Sequence, residues 1–236
     1  MIDINYLVNG VPVGLGNKLF HFFYALSRCI DEELTIVGQH DHASHFTNEA
    51  MNELYGLASD GQELLKLGIG SGIDNGFHQT PEVVKLITEH KEEMIKDFGN
   101  LDGTFVHVRL GDVDRNMPDA LPSIDYYRKC LNQLPVYNFN NPASDNYIAP
   151  AYISSDSPDH ELVQTLMNEF DLELFEGTPE ETIAFGSRFG NKVLSLGTFS
   201  WWIGFIGNQN NVLHPDPEEY KVWHGDIFNL ERWNKI

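Results

Sequence analysis

A short stretch near the middle of the chain carries the side chains best suited to chemistry. His107, Arg109 and Asp112 lie at the end of the β-branched and aromatic run 104–108 and in the glycine-containing loop that follows it. The run predicts a buried strand, and ligands of an open parallel sheet bind at the carboxyl ends of its strands. A guanidinium there can hold a phosphate through two parallel hydrogen bonds. The alternative is that His107 is a core imidazole and Arg109 an ordinary ion-pair partner.

Polar side chains also follow two other predicted strands. Ser154, Ser155 and Asp156 end the segment that begins at residue 151, and Thr198 and Ser200 follow the predicted strand 193–196. Because the carboxyl ends of parallel strands lie along one edge of a sheet, we expect these groups to converge with His107 and Arg109.

A glycine turn in the first part of the chain is a further candidate for anion binding. Gly14-Leu-Gly-Asn-Lys precedes a helical stripe of apolar residues, so its backbone N–H groups and the Asn17 amide could face an anion. Turns of the Gly-x-Gly kind also occur before helices that bind nothing, and the spacing alone leaves both interpretations open.

Metal-binding patterns are weak. His40, His42 and His45 lie close together, but their irregular spacing and the lack of a nearby cysteine favour a polar loop. Asp112 and Asp114 have the spacing of an Asp-x-Asp pair, yet Asp112 is already accounted for as the end of the Arg109 segment. We therefore expect no metal site.

Composition narrows the class of protein. The chain has 236 residues, 42% of them hydrophobic, and a net charge of −20, which argues against nucleic acid or an anionic membrane as a partner. We find no apolar run long enough to cross a bilayer and no secretory signal. Cys29 and Cys130 have no metal-type spacing and are expected to be reduced. These features together favour a cytoplasmic protein.

The elements that would position the polar groups alternate between strand and helix. Predicted strands cover 2–8, 34–37, 104–108, 151–156, 172–175, 193–196 and 212–213. Predicted helices follow residues 14, 80, 123, 157 and 178, the one after residue 80 extends to Gly99, and a last helix covers 226–233. Such alternation is typical of α/β proteins with parallel sheets. We place an N-terminal α/β domain at 1–101, a C-terminal one at 102–236, and a cleft between them.

Three motifs in this order resemble those of the α-1,2-fucosyltransferase family and its wider superfamily. They are Gly-Leu-Gly-Asn-Lys-Leu-Phe at 14–20, His-Val-Arg-Leu-Gly-Asp at 107–112, and Thr-Phe-Ser-Trp-Trp at 198–202. The resemblance implies a GT-B architecture of two Rossmann-like halves, the second of which holds the donor. It also implies inverting transfer from GDP-fucose to a glycan acceptor, no required metal or other cofactor, and a bacterial or virus-encoded enzyme.

The same resemblance assigns roles to single residues. Arg109 would hold the donor diphosphate with His107 beside it, Asp156 would lie at the guanine or ribose end, and Ser155 would also bind the donor. Ser200, with the Thr198–Phe199 backbone, would contact phosphate from a turn at 198–202, and Asn17 would approach from the first domain. Asp112 and Asp114 are the candidate catalytic bases.

One departure from the family pattern keeps other functions open. Many members have a second arginine directly after the first, where this chain has Leu110. The alternatives are a transferase that uses another nucleotide sugar and a non-catalytic nucleotide- or carbohydrate-binding protein. A kinase or dehydrogenase is disfavoured because the chain lacks a P-loop and the third glycine of a dinucleotide-binding turn. Trp201 and Trp202 could stack on an acceptor, but we expect at least one of them in the core.

Overall fold

The computed structural model describes residues 2–3, 7–8, 11–12, 14–32, 36–37, 43–54, 79–111, 121–136, 149–220 and 225–236. The chain divides into two compact units, Met1–Asp97 and Phe98–Ile236. None of the helices in the described ranges is both long enough and apolar enough to cross a membrane.

The described residues of the first unit form one long helix, several short helices and four two-residue strands. Its elements are β1 (Ile2–Asp3), β2 (Leu7–Val8), β3 (Val11–Pro12), α1 (Leu15–Glu32), β4 (Ile36–Val37), α2 (Ala43–Phe46), α3 (Glu49–Leu54), α4 (Pro81–Glu89) and α5 (Lys91–Met94). β1 pairs in parallel with β4, while β2 pairs antiparallel with β3. The prediction of one strand over 2–8 was therefore wrong, because its two ends belong to different sheets.

Local sequence explains the two principal helices of this unit. The buried residues Leu19, Phe22, Phe23 and Leu26 recur at helical spacing along α1 and form its apolar face. The Thr80 side chain accepts a hydrogen bond from the Val83 N–H, and Pro81 follows it at the start of α4. The helix predicted to continue to Gly99 ends earlier, at Glu89, and the short α5 follows it.

The second unit contains the main sheet. Its elements are β5 (Leu101–Val108), α6 (Ile124–Leu131), β6 (Ala151–Ser155), α7 (Glu161–Phe170), β7 (Glu173–Leu174), α8 (Pro179–Ser187), β8 (Phe189–Val193), α9 (Thr198–Ile206), β9 (Asn211–His214), a 3-10 turn (Gly225–Phe228) and β10 (Trp233–Lys235). The six strands are all parallel and lie in the order β10-β9-β8-β5-β6-β7. The unit is therefore an α/β fold with a single six-stranded parallel sheet, as the alternating pattern predicts.

The strand order has a functional consequence. Counted along the unit from β5, the strands run 3-2-1-4-5-6 across the sheet, which is the order of the Rossmann fold. The chain winds in one direction after β5 and in the other after β8, so these two neighbouring strands flank the topological switch point. In open α/β sheets the ligand crevice lies at the carboxyl ends of the strands at that point.

Alternation along β5 separates two layers of the unit. Val106 and Val108 belong to a core cluster with Tyr127 of α6 and Val163 and Leu166 of α7. The alternate residues face the other layer, where the Phe105 ring stacks on Phe189 with centroids 5.8 Å apart. His107 shares this second face, and its ring lies against Phe199 of α9.

Three elements of the second unit differ from the sequence prediction. The predicted strand 193–196 begins where β8 ends, because the polar residues Asn191 and Lys192 obscured the strand. The turn expected at 198–202 is the first half of α9, whose residues are nearly all buried. The helix expected at 226–233 is a 3-10 turn, and the strand β10 begins at Trp233 and pairs with β9.

Candidate functional site

The candidate site starts from His107 near the end of β5. Only 5% of His107 is exposed, and its Nδ1 atom lies 2.6 Å from the Oγ atom of Ser200, with which it shares a hydrogen bond. The Phe199 ring lies 5.1 Å from the His107 ring, centroid to centroid. The third motif is thus joined to the second across 93 residues of sequence, as the predicted convergence requires.

Protonation chemistry at this pair is disfavoured. Burial and the nearby Arg109 charge lower the pKa of His107 to about 3, so the imidazole is neutral at physiological pH and a weak base. Ser200 is completely buried, and its hydroxyl is engaged with His107. A serine–histidine contact can mark a nucleophile and its base, but these two properties make the pair a fixed support for the start of α9.

Arg109 lies against the start of α9. Gly197 precedes the helix with φ +115°, and a Cβ atom added to it would lie 3.0 Å from Nη1 and 3.6 Å from Cδ of Arg109. The guanidinium therefore packs on a backbone position that only glycine leaves open.

This arrangement brings a guanidinium and a helix N-terminus together. The first turn of α9 contains no acidic side chain, and Gly197 has no side chain with which to cap it. The N-terminal N–H groups of a helix carry a partial positive charge, and here a guanidinium lies beside them. Two like-signed groups at the topological switch point are the expected arrangement for an anion-binding site.

Asp156, directly after β6, contacts the loop that contains Arg109. Its Oδ1 atom accepts a hydrogen bond from the Leu110 N–H at 2.8 Å. Gly111 has φ +32°, and a Cβ atom added there would collide with Oδ2 of Asp156. Ser155, predicted alongside Asp156, accepts a hydrogen bond from the Ser157 N–H at 3.1 Å and so stabilises the local turn.

Two buried hydroxyls near these strand ends were missed by the sequence analysis. Neither Tyr127 Oη nor Ser195 Oγ meets the geometry of a hydrogen bond with a described atom, although the two hydroxyls are neighbours. Burial raises the pKa of Tyr127, and the neighbouring Ser195 hydroxyl acts to lower it. No signal in the sequence separates Ser195 from the apolar residues around it or Tyr127 from the apolar face of α6.

Asn17 belongs to the first unit. It lies in the first turn of α1, and its Oδ1 atom accepts a hydrogen bond from Nε2 of Gln79 at 2.7 Å. Gln79 is only 6% exposed, and its Oε1 atom has no partner among the described atoms. The hydrogen bond thus joins Gln79, just before α4, to the first turn of α1.

The remaining candidate metal and base residues have less structural support. Asp112 and Asp114, the candidate bases, lie outside the described residues, as do His40 and His42. His45 is exposed on α2. Within the described ranges, no group of three histidine, cysteine or carboxylate side chains could hold a metal ion.

Trp201 and Trp202 belong to the core. Both are fully buried, and the Trp201 indole Nε1–H donates a hydrogen bond to the Ile227 carbonyl at 2.8 Å. The expectation that at least one of them is a core residue is confirmed, and neither ring can stack on an acceptor.

Cys130 is also in the core. It is a buried free thiol, whose pKa is raised to about 12 mainly by burial.

Comparisons with known proteins add no family assignment. A scan against protein-family models, a search of curated proteins and a search of solved structures each found no match. Function is therefore inferred from the geometry at the ends of β5, β6 and β8.

Proposed function

We propose that this protein is an inverting glycosyltransferase that transfers fucose from GDP-fucose to a hydroxyl of a glycan, in the manner of the α-1,2-fucosyltransferases. The observation that carries the proposal is the position of Arg109 against Gly197 at the start of α9, at the switch point of a parallel sheet. The ordered motifs at 14–20, 107–112 and 198–202 supply the choice of donor. In the GT-B arrangement that we propose, the first unit carries the acceptor side.

The chemistry requires a partner for developing negative charge. As the glycosidic bond to the donor breaks, the departing diphosphate gains charge, and a guanidinium and a helix N-terminus stabilise it electrostatically. Both groups are held before the ligand arrives, because β5 positions Arg109 and the His107–Ser200 hydrogen bond positions α9. With positive charge supplied in this way, the reaction we propose needs no metal ion.

The single arginine of the motif has a physical explanation in this fold. Leu110, which replaces the second arginine of many family members, is 2% exposed and belongs to the core cluster with Tyr127 and Leu131. An arginine in that apolar position would be buried without a partner, which is costly. We infer that the backbone N–H groups of α9 take the place of a second guanidinium.

A non-catalytic nucleotide-binding protein of the same fold is the second candidate. The observation that favours it is the low pKa of His107, about 3, together with the use of the Asp156 carboxylate by the Leu110 N–H. These are the two described site residues whose types could accept a proton from an acceptor hydroxyl. Catalysis then depends on Asp112 or Asp114.

Binding and turnover separate the candidates. In calorimetry we expect GDP and GDP-fucose to bind and UDP to bind more weakly. Binding of a different nucleotide in their place would overturn the donor assignment. Formation of a fucosylated product from GDP-fucose and a galactose-terminated acceptor would exclude the non-catalytic alternative, and binding without product would favour it.

Arg109→Lys tests the residue that carries the proposal. A point charge cannot reproduce the two-pronged contact of a guanidinium, so we expect GDP affinity to fall by about tenfold or more and transfer to be lost with it. Arg128→Lys is the matched control, because Arg128 donates to Glu169 at 2.8 Å on the surface of the same unit. Equal GDP binding by both variants would remove Arg109 from the site.

A further inference from the structure

Asp156 connects two strand ends at the candidate site. The last registered pair of the β5–β6 ladder is Val108 with Ser155. Beyond that pair, the Leu110 N–H donates to the Oδ1 atom of the Asp156 side chain rather than to a backbone carbonyl. The carboxylate therefore continues the ladder by one further hydrogen bond, past the point at which the strands separate.

That bond restrains the backbone on both sides of Arg109. Val108 on one side is held in the ladder, and Leu110 on the other is held by Asp156 and by its own buried side chain. Arg109 therefore lies between two restrained neighbours and has little backbone freedom of its own.

The same carboxylate explains why a glycine, Gly111, follows Leu110. The Oδ2 atom of Asp156 occupies the space that a Cβ atom of residue 111 would need, and φ at Gly111 is +32°. The carboxylate thus occupies space that only a glycine at residue 111 leaves open. A carboxylate that merely faced a ligand would place no such demand on the backbone.

We propose that Asp156 is a positioning residue, whose carboxylate fixes the Leu110–Gly111 backbone and thereby aims the Arg109 guanidinium at the phosphate. This inference rests on the proposed function, since it assumes that Arg109 binds the diphosphate. It differs from the role that the motif resemblance implies, in which Asp156 reads the guanine or ribose end of the donor.

Inorganic pyrophosphate distinguishes the two roles, because it has no base or sugar. If Asp156 positions Arg109, Asp156→Ala weakens pyrophosphate and GDP by a similar factor, roughly tenfold for the loss of one charge-assisted hydrogen bond. Asp156→Asn keeps an oxygen that can accept from the Leu110 N–H, so it restores both affinities to within about threefold. Weaker binding of GDP alone in either variant would overturn the inference.

Amide hydrogen exchange supplies a readout without ligand. Exchange at the Leu110 N–H should become faster in Asp156→Ala and remain slow in Asp156→Asn, and unchanged exchange in the alanine variant would overturn the positioning role. Wild-type protein that binds neither pyrophosphate nor GDP would instead overturn the proposed function on which the inference rests.

A double-mutant cycle tests the complementarity of Asp156 and Gly111. Gly111→Ala should weaken pyrophosphate binding most in the wild type, where the new methyl group collides with the carboxylate, and by a smaller factor in the Asp156→Ala background, where only the strain of a side chain at φ +32° remains. A loss of the same size in both backgrounds would contradict the proposal, because it would show that the two positions act independently.

Discussion

At the scale of single residues, the buried His107 makes stability depend on pH. Its pKa of about 3 in the folded protein lies below the usual value of 6.5, so between these pH values the unfolded chain binds a proton that the folded chain does not. Its contribution is complete above pH 6.5 and is lost as the pH falls toward 3, by up to about 1.4 kcal/mol per pH unit.

The variant that tests this contribution is His107→Gln, which keeps a hydrogen-bonding side chain but does not titrate. Between pH 6.5 and 4 its free energy of unfolding should decrease less steeply than that of the wild type. All four tryptophans lie in Phe98–Ile236, so urea unfolding followed by tryptophan fluorescence reports on this unit. Some slope should remain, because burial also lowers the pKa of His214. Parallel slopes would show that His107 is not the source.

At the scale of single residues, the contact between His107 and Ser200 was predictable, because both lie at or just after the ends of predicted strands and such ends share one edge of a parallel sheet. The bond from the Leu110 N–H to Asp156 spans 46 residues, and no local pattern encodes it. The proximity of the Ser195 and Tyr127 hydroxyls was missed for a similar reason, because the two residues are distant in sequence.

At the scale of elements, we expect the largest effect of a substitution at the start of α9. Gly197→Ala forces a side chain into φ +115° and places its methyl group 3.0 Å from Nη1 of Arg109. We expect a loss of about 1–3 kcal/mol in unfolding free energy and a weaker affinity for GDP, because the guanidinium must move.

Thr178→Ala provides a matched loss of helix stability away from the site. Thr178 forms a capping box with Glu181 at the start of α8, and its removal should cost about 1 kcal/mol without changing GDP affinity. Calorimetry on both variants separates stability from binding. If they bind GDP equally well, the Arg109–Gly197 contact has no role in anion binding.

The strands β5 and β8 show where sequence patterns succeed and where they fail. β5 was predicted because its run of buried residues is uninterrupted, whereas β8 was displaced because Lys192 interrupts it. Lys192 is fully buried and donates to the Asn208 carbonyl just beyond the end of α9. A lysine in such a position is energetically acceptable only because a helix C-terminus faces it, and that partner is invisible in the local sequence.

At the scale of the whole molecule, we propose that the second compact unit binds the donor and the first carries the acceptor side. The predicted domain boundary follows residue 101, and the compact units divide after Asp97. With either boundary, every donor-binding candidate except Asn17 lies in the C-terminal part. This part also contains its own core cluster on one face of the sheet and an aromatic layer on the other. It therefore has what a domain needs to fold alone.

A fragment comprising residues 98–236 tests this division. We expect it to unfold cooperatively, with tryptophan emission like that of the full chain, since no tryptophan lies outside it. It should bind GDP with nearly the affinity of the full chain, because Arg109, Gly197 and Asp156 are all present. Fucosyl transfer should be lost with the acceptor side. A folded fragment that fails to bind GDP, beside a full chain that binds it, would show that the first unit completes the nucleotide site and that Asn17 contributes more than the sheet geometry implies.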